Sequence, residues 1–168
     1  LMHNYTFFDT DIRPAQEEKP LSNISTEVSH HLHMGNFHLA NHFLYQYFSN
    51  NEIIHLPDWT IRSSLYYKNY LFNDNLLLSS GIDFRYSKAY FGNDYFPAFN
   101  TFYLQNRQEV GGYPVFDLFL NFRIQRFRGF IRIPHINKGL FGNDYFFVPE
   151  YPLYPRMFTI GVRWMFFD

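Results

Sequence analysis

The sequence predicts an all-β chain that crosses a membrane as an antiparallel β-barrel, and three observations carry that expectation. Apolar and polar residues alternate with a period of two along most of the chain, which is the strand signature. The connectors between alternating segments are short and long by turns. The aromatic residues, 22 Phe, 14 Tyr and 2 Trp in 168 residues, gather at segment ends and in the longer connectors, while a mean hydropathy of −0.30 shows them interleaved with polar residues.

Eight segments alternate, and the whole chain, 1–168, reads as one barrel domain or as part of one. The opening stretch, Leu1 to Phe8, is a weak strand. Ile24, Thr26, Val28, His30, Leu32 and Met34 then share one face, opposite Ser25, Glu27, Ser29, His31 and His33. From Asn36 to Phe48, Phe37, Leu39, Phe43, Tyr45 and Tyr47 oppose His38, Ala40, His42 and Gln46. Trp59, Ile61, Ser63, Leu65 and Tyr67 oppose Thr60, Arg62, Ser64, Tyr66 and Lys68. Leu76, Leu78, Ser80, Ile82, Phe84 and Tyr86 oppose Leu77, Ser79, Gly81, Asp83, Arg85 and Ser87. Phe116 to Ile124 follows the same rule, then Ile131 and Ile133 about Arg132, and finally Phe158 to Phe166. Within these segments Glu27, Arg62, Lys68, Asp83, Arg85, Asp117, Arg123, Arg132 and Arg163 all fall on the polar parity. Lys88 breaks parity, but it lies far enough past Leu76 to clear an apolar band about 25 Å tall.

Short turns are expected at Met34-Gly35-Asn36, Phe72-Asn73-Asp74 and Gln125 to Arg128, and Gly35-Asn36 suits a tight hairpin. Long connections are expected at Asp9 to Leu21, Ser49 to Asp58, Phe91 to Pro114 and Lys138 to Arg156. Short turns at one end and long loops at the other is the asymmetry of a barrel in an outer membrane. Amphipathic rings favour a membrane boundary. Tyr45, Tyr47, Trp59 and Tyr86 accordingly mark an outer level, with Phe37, Tyr67, Trp164 and Phe166 at an inner one. A soluble sandwich with its apolar parity turned inward would share the alternation, but neither the connector asymmetry nor the two aromatic levels.

The chain closes with Thr159-Ile160-Gly161-Val162-Arg163-Trp164-Met165-Phe166-Phe167-Asp168. Thr159, Gly161, Trp164 and Phe166 form the pattern of a barrel insertion signal: a last strand must offer an unpaired edge before closure. No basic start, apolar run and small-residue cleavage site opens the chain, so no signal peptide is expected within it.

In chain order, His55-Leu56-Pro57-Asp58-Trp59, Leu65-Tyr66-Tyr67-Lys68, Gly81-Ile82-Asp83-Phe84-Arg85-Tyr86, Phe102-Tyr103-Leu104-Gln105-Asn106, Gly112-Tyr113-Pro114, His135-Ile136-Asn137-Lys138-Gly139 and Gly161 to Asp168 resemble the C-terminal part of the putative porins of Bacteroidota outer membranes. The resemblance runs from about Asn23 onward. It implies an integral outer-membrane protein and a chain that is the C-terminal portion of a longer one. Eight strands either close alone into a narrow barrel or form one arc of a wider pore.

Composition excludes much else. There is no cysteine, and 14 Lys+Arg balance 15 Asp+Glu, so no disulfide framework and no bulk attraction to nucleic acid is expected. No nucleophile elbow, phosphate loop or zinc-protease motif occurs, so neither an enzyme nor a cofactor is expected. Phe91-Gly92-Asn93-Asp94-Tyr95-Phe96 is repeated as Phe141-Gly142-Asn143-Asp144-Tyr145-Phe146, and suits loop packing better than calcium held by Asp94 and Asp144. His31, His33, His38 and His42 read as wetted residues of the polar face before they read as metal ligands.

On that face the cations Arg62, Lys68, Arg85, Arg123, Arg132 and Arg163 outnumber the anions Glu27, Asp83 and Asp117. Arg62 or Lys68 is expected beside Asp83, and Arg132 beside Asp117. A net basic wall favours anions, so the expected function is a passive, weakly anion-selective diffusion channel. The alternatives are a non-conducting accessory barrel in an outer-membrane complex and the barrel end of a TonB-dependent transporter. Expected partners are the lipid bilayer, lipopolysaccharide, the outer-membrane assembly machinery, and further complex subunits or copies of the chain.

Overall fold

The computed structural model describes residues 1–142 and 145–166, and it is built of strands and turns with no helix. The first two strands, β1 (Tyr5–Phe8) and β2 (Pro14–Glu17), form a small hairpin of their own, with Tyr5 opposite Glu17. The opening stretch is therefore not an eighth strand of the main sheet. Its reversal is local: Asp9 Oδ1 accepts the N–H groups of Asp11 at 2.9 Å and Arg13 at 2.8 Å. That caps a turn before the chain is long enough to cross a bilayer. The hairpin rests on Leu21, which packs with Phe48, Ile54 and Tyr5 beneath the long-loop end.

Four long strands follow in sequence: β3 (Asn23–Met34), β4 (Phe37–Phe48), β5 (Trp59–Leu71) and β6 (Leu76–Ser87). The next connection carries four short strands, β7 (Tyr90–Phe91), β8 (Asp94–Phe96), β9 (Thr101–Tyr103) and β10 (Glu109–Val110). Strands β11 (Val115–Ile124) and β12 (Phe127–Ile133) return to the main sheet, β13 (Phe146–Val148) and β14 (Tyr151–Pro152) decorate the last loop, and β15 (Thr159–Trp164) completes the sheet. The main sheet has seven strands in the order β15-β12-β11-β6-β5-β4-β3, with every pairing antiparallel. It is an open meander: β3 and β15 stand at opposite edges and do not pair with each other.

The connectors sort by length as the sequence predicts. Residues 35–36, 72–75 and 125–126 join strands at one end, and 49–58, 88–114 and 134–158 at the other. The short turns are made by residues that accept a left-handed backbone, with Gly35 at φ 59°, Asn73 at 53° and Asp74 at 65°. The third turn is tighter than the sequence suggests. It occupies Gln125 and Arg126 alone, so Arg128 belongs to β12 and faces Arg123.

Register keeps the two parities apart across the sheet. Ile24, Val28, Leu32, Phe43, Leu65, Ile82, Leu118, Ile160 and Val162 lie exposed on the apolar face. Polar groups on that face find partners nearby: the Ser63 hydroxyl donates to Asn41 Oδ1 at 2.6 Å, and Ser80 Oγ donates to the carbonyl of Phe119 at 3.2 Å. Such closure is what a polar group on an apolar face requires.

Of the glycines that make close approaches, Gly81 and Gly161 lie on the polar face of the sheet. A Cβ on Gly81 would lie 2.3 Å from the Leu65 carbonyl oxygen and 2.5 Å from Tyr66 Cβ. A Cβ on Gly161 would lie 2.2 Å from the ring of Phe130. Gly161 thus has a packing role beside the terminal pattern that the sequence assigns it.

Candidate functional site: the polar wall and the loops over it

The polar face is a ladder of cross-strand rows. In one row, His42 of β4, Arg62 of β5 and Arg85 of β6 stand side by side. In the next, Ser64, Asp83 and Asp117 do so, which sets two carboxylates directly opposite each other. Cations from flanking strands resolve that repulsion. Arg85 donates to Asp117 Oδ2 at 2.8 Å, Arg132 donates to Asp83 Oδ2 at 3.1 Å, and the Ser64 hydroxyl donates to Asp83 Oδ1 at 2.6 Å.

These pairings correct two expectations. Asp83 is held by Arg132 and not by Arg62 or Lys68, and Asp117 is held by Arg85 and not by Arg132. The reason is register. Arg62 lies opposite Arg85, Lys68 lies opposite Ser79, and the long arginines reach diagonally to the next row. Glu27 meets His42 Nε2 at 2.8 Å. Among the described residues, Arg62, Lys68, Arg123, Arg128 and Arg163 have no carboxylate partner. His42, Arg62, Asp83, Arg85, Asp117 and Arg132 all line a cavity of about 400 Å³ on this wall.

Toward the short turns the wall carries a row of rings. His33 stacks on His38 with centroids 4.3 Å apart, His38 on Tyr66 at 4.8 Å, and Tyr66 meets Phe119 at 6.4 Å over Gly81. The opposition of His33 and His38 is as the turn at Gly35-Asn36 predicts. No group of three or more His, Asp, Glu or Cys able to hold a metal occurs among the described residues.

Two long loops fold together above this wall, and sequence reasoning took them only as loops. His135 is fully buried and its backbone N–H donates to Asp117 Oδ1 at 2.9 Å. Its Nδ1 lies 3.0 Å from the carbonyl of Tyr154, so Nδ1 carries a proton, and Nε2 lies 3.1 Å from Tyr113 Oη, whose hydroxyl donates to the Asn137 carbonyl at 3.2 Å. Tyr113 and Tyr145 meet the imidazole edge-on at 5.4 and 4.8 Å. Tyr154 hydroxyl also meets Arg85, so the loop 134–158 is tied to the ion pair on the wall. Burial raises the Tyr113 pKa and keeps its hydroxyl protonated. The hints in the sequence are the runs Gly112-Tyr113-Pro114 and His135-Ile136-Asn137; the Asn137 amide donates to the Pro114 carbonyl at 2.7 Å and accepts from the Phe116 N–H at 3.0 Å.

The repeated hexapeptide serves the loops unequally. Asp94 is buried, accepting from the Tyr103 hydroxyl at 2.8 Å and from the Tyr95 N–H at 2.8 Å, and pairing with Arg107 at 3.4 Å. Its oxygens are thus spent on the loop itself. In the second copy it is Tyr145 that is buried, and Asn143 and Asp144, with the calcium reading placed on the latter, lie outside the described residues.

The aromatic levels fall as two bands on the apolar face. Tyr45 lies opposite Trp59, and Trp59 stacks on Tyr86 at 5.1 Å, while Tyr47 is exposed nearby at the long-loop end. Phe37 meets Tyr67 at 5.2 Å, Phe127 meets Trp164 at 5.8 Å and Trp164 stacks on Phe166 at 6.2 Å, all toward the short turns. Of the terminal pattern, Thr159 faces Arg132, Gly161 faces Phe130 and Trp164 faces Phe127, with Phe166 exposed beyond. Phe167 and Asp168 lie outside the described residues.

A family model described as putative porin matches residues 1–168. The match therefore takes in the opening hairpin as well as the seven-stranded sheet. No curated protein and no solved structure matches the chain.

Proposed function

The chain belongs to the putative porin family, which implies an outer-membrane location and a porin-like function, and from that premise we propose that it forms the wall of a passive, weakly anion-selective diffusion channel. The observation that carries the selectivity is the charge left over on the polar wall. Two carboxylates are neutralised by Arg85 and Arg132, whereas Arg62, Lys68, Arg123, Arg128 and Arg163 have no carboxylate partner among the described residues. Cationic groups without a carboxylate partner along a pore raise the local concentration of anions. The channel performs no chemical step and needs no cofactor. Lipid meets its apolar face, lipopolysaccharide meets its outer aromatic band, and the assembly machinery reads its last strand. The exposed edges of β3 and β15 are completed by further strands of a longer chain or by other copies or subunits in a complex.

Reversal potentials across a planar bilayer under a salt gradient test the reading. The expected result is an anion-favouring shift that shrinks in Arg123→Ala and Arg85→Ala. Cation selectivity would sink it. Absence of conductance would favour a non-conducting accessory barrel, a reading supported by the loop 134–158 lying on the wall at Arg85 and Asp117.

A further inference from the structure

At the short-turn end of the polar wall, register sets three guanidinium groups in one row. Arg123 of β11 lies directly opposite Arg128 of β12, and Arg128 lies directly opposite Arg163 of β15. Directly opposed residues hold their Cβ atoms about 5 Å apart, and like charges at that distance repel. A sheet that keeps three cations there loses stability unless something neutralises them. Among the described residues no carboxylate does so; the polar partner of Arg123 is the Tyr70 hydroxyl at 3.3 Å, which carries no countercharge.

The same three arginines line one cavity of about 470 Å³, with Ser79, Asn121 and Phe130 among the other lining residues. The concavity is open to one side and its lining is mostly apolar, which suits a solute with a carbon skeleton beside its phosphate better than a bare inorganic ion. Ser79 and Asn121 offer a hydroxyl and an amide for the hydroxyl groups of a solute, and Phe130, held over Gly161, offers an apolar wall for its carbon skeleton. Guanidinium forks bind phosphate oxygens in pairs, and three forks in a row supply more donors than one carboxylate can use.

The geometry points to a binding site for a small organic phosphate at this mouth of the wall. That such a solute passes through the protein rests on the channel reading; that it binds does not. The phosphate of an anionic lipid headgroup has the same chemistry, so the measurement must separate the two sources.

Equilibrium dialysis of the detergent-solubilised full chain against radiolabelled glucose 6-phosphate tests the site. Saturable binding is expected, displaced by inorganic phosphate but not by glucose, and weakened as salt rises. Arg128→Ala should weaken it by about tenfold or more, while Arg13→Ala, at an exposed turn residue, should not change it. Thermal melting guards against a misfolded variant. In phosphate-free buffer Arg128→Gln should melt higher than the parent, because a like-charge contact is removed, and added phosphate should raise the parent's melting temperature but not the variant's. No saturable binding, or binding unchanged in Arg128→Ala, would overturn the site. Binding in neutral-lipid vesicles that is lost in phosphatidylglycerol vesicles would overturn the solute assignment in favour of a headgroup. Binding without conductance would sink the channel reading and leave this site standing.

Discussion

At the scale of single residues, small side chains decide where large ones can lie. Gly81 leaves room for the backbone and Cβ of Tyr66 on a neighbouring strand, and Gly161 for the ring of Phe130. Gly81→Val would press its branches on the Leu65 carbonyl and on Tyr66, which are backbone and first side-chain atoms that cannot swing away. The expected cost is about 3 kcal/mol in denaturant unfolding of the detergent-solubilised protein. Gly35→Ala meets open space but keeps a φ of 59°, so about 1 kcal/mol is expected there. Equal losses at the two sites would show that backbone conformation, and not the close approach across β5 and β6, governs Gly81. Period-two alternation could place these glycines on the polar parity, but not reveal what covers them, because that depends on the neighbouring strand. The same limit explains the ion pairs. The parity of Asp83, Asp117, Arg85 and Arg132 is legible in the sequence, but their partners follow from a register that alternation leaves free. Arg128 was missed for a related reason: beside Gly129, with Gln125 and Arg126 before it, it reads as turn.

At the scale of elements, the long strands of the main sheet were legible because each holds its alternation for many residues, and the loops were not, because their order comes from contacts distant in sequence. The loop 49–58 is an example. His55, within it, is half-buried near Phe91 at a ring distance of 6.4 Å, with Nδ1 buried and unpartnered among the described residues. Burial lowers its pKa below 6.5, with the backbone of Glu52 working weakly the other way. The unfolded loop therefore takes up a proton before the folded one does. The loop's stability is complete above about pH 6.5 and declines as pH falls through the lower folded value. Amide exchange in 49–58 should accelerate between pH 7 and pH 5, after correction for intrinsic rates, and His55→Phe should flatten that dependence. Acceleration that persists in the variant would place the sensitivity elsewhere. The opening hairpin shows the opposite failure: Leu1 to Phe8 alternates like a spanning strand, yet the Asp9 turn folds it back onto Pro14–Glu17.

At the scale of the whole molecule, the sheet has two unlike faces and two unlike ends, and orientation is the property that joins them. The chain has no cysteine, so single cysteines report cleanly. Phe99→Cys lies in an exposed turn of the long-loop end and Phe72→Cys in an exposed short turn. A membrane-impermeant maleimide added to intact cells should label the first and spare the second, with both labelled after lysis. The proposed orientation has the long loops outside and the short turns periplasmic; the reverse pattern would invert it and would put the row of Arg123, Arg128 and Arg163 at the outer surface.

The meander order carries a consequence for how the molecule is made. Every strand of the main sheet pairs with the one before it in the sheet's chain order, so pairing can advance hairpin by hairpin, with little loop-closure entropy at each short turn. The buried cluster of Tyr113, His135 and Asn137 is different, because it draws on two connections separated by two strands. In the proposed orientation those connections traverse the bilayer before they meet. Their polar groups must travel hydrated and unpaired, and lock together only on arrival. Translocation of the loops and maturation of the mouth are then successive events, and the ties from His135 and Tyr154 to Asp117 and Arg85 belong to the second.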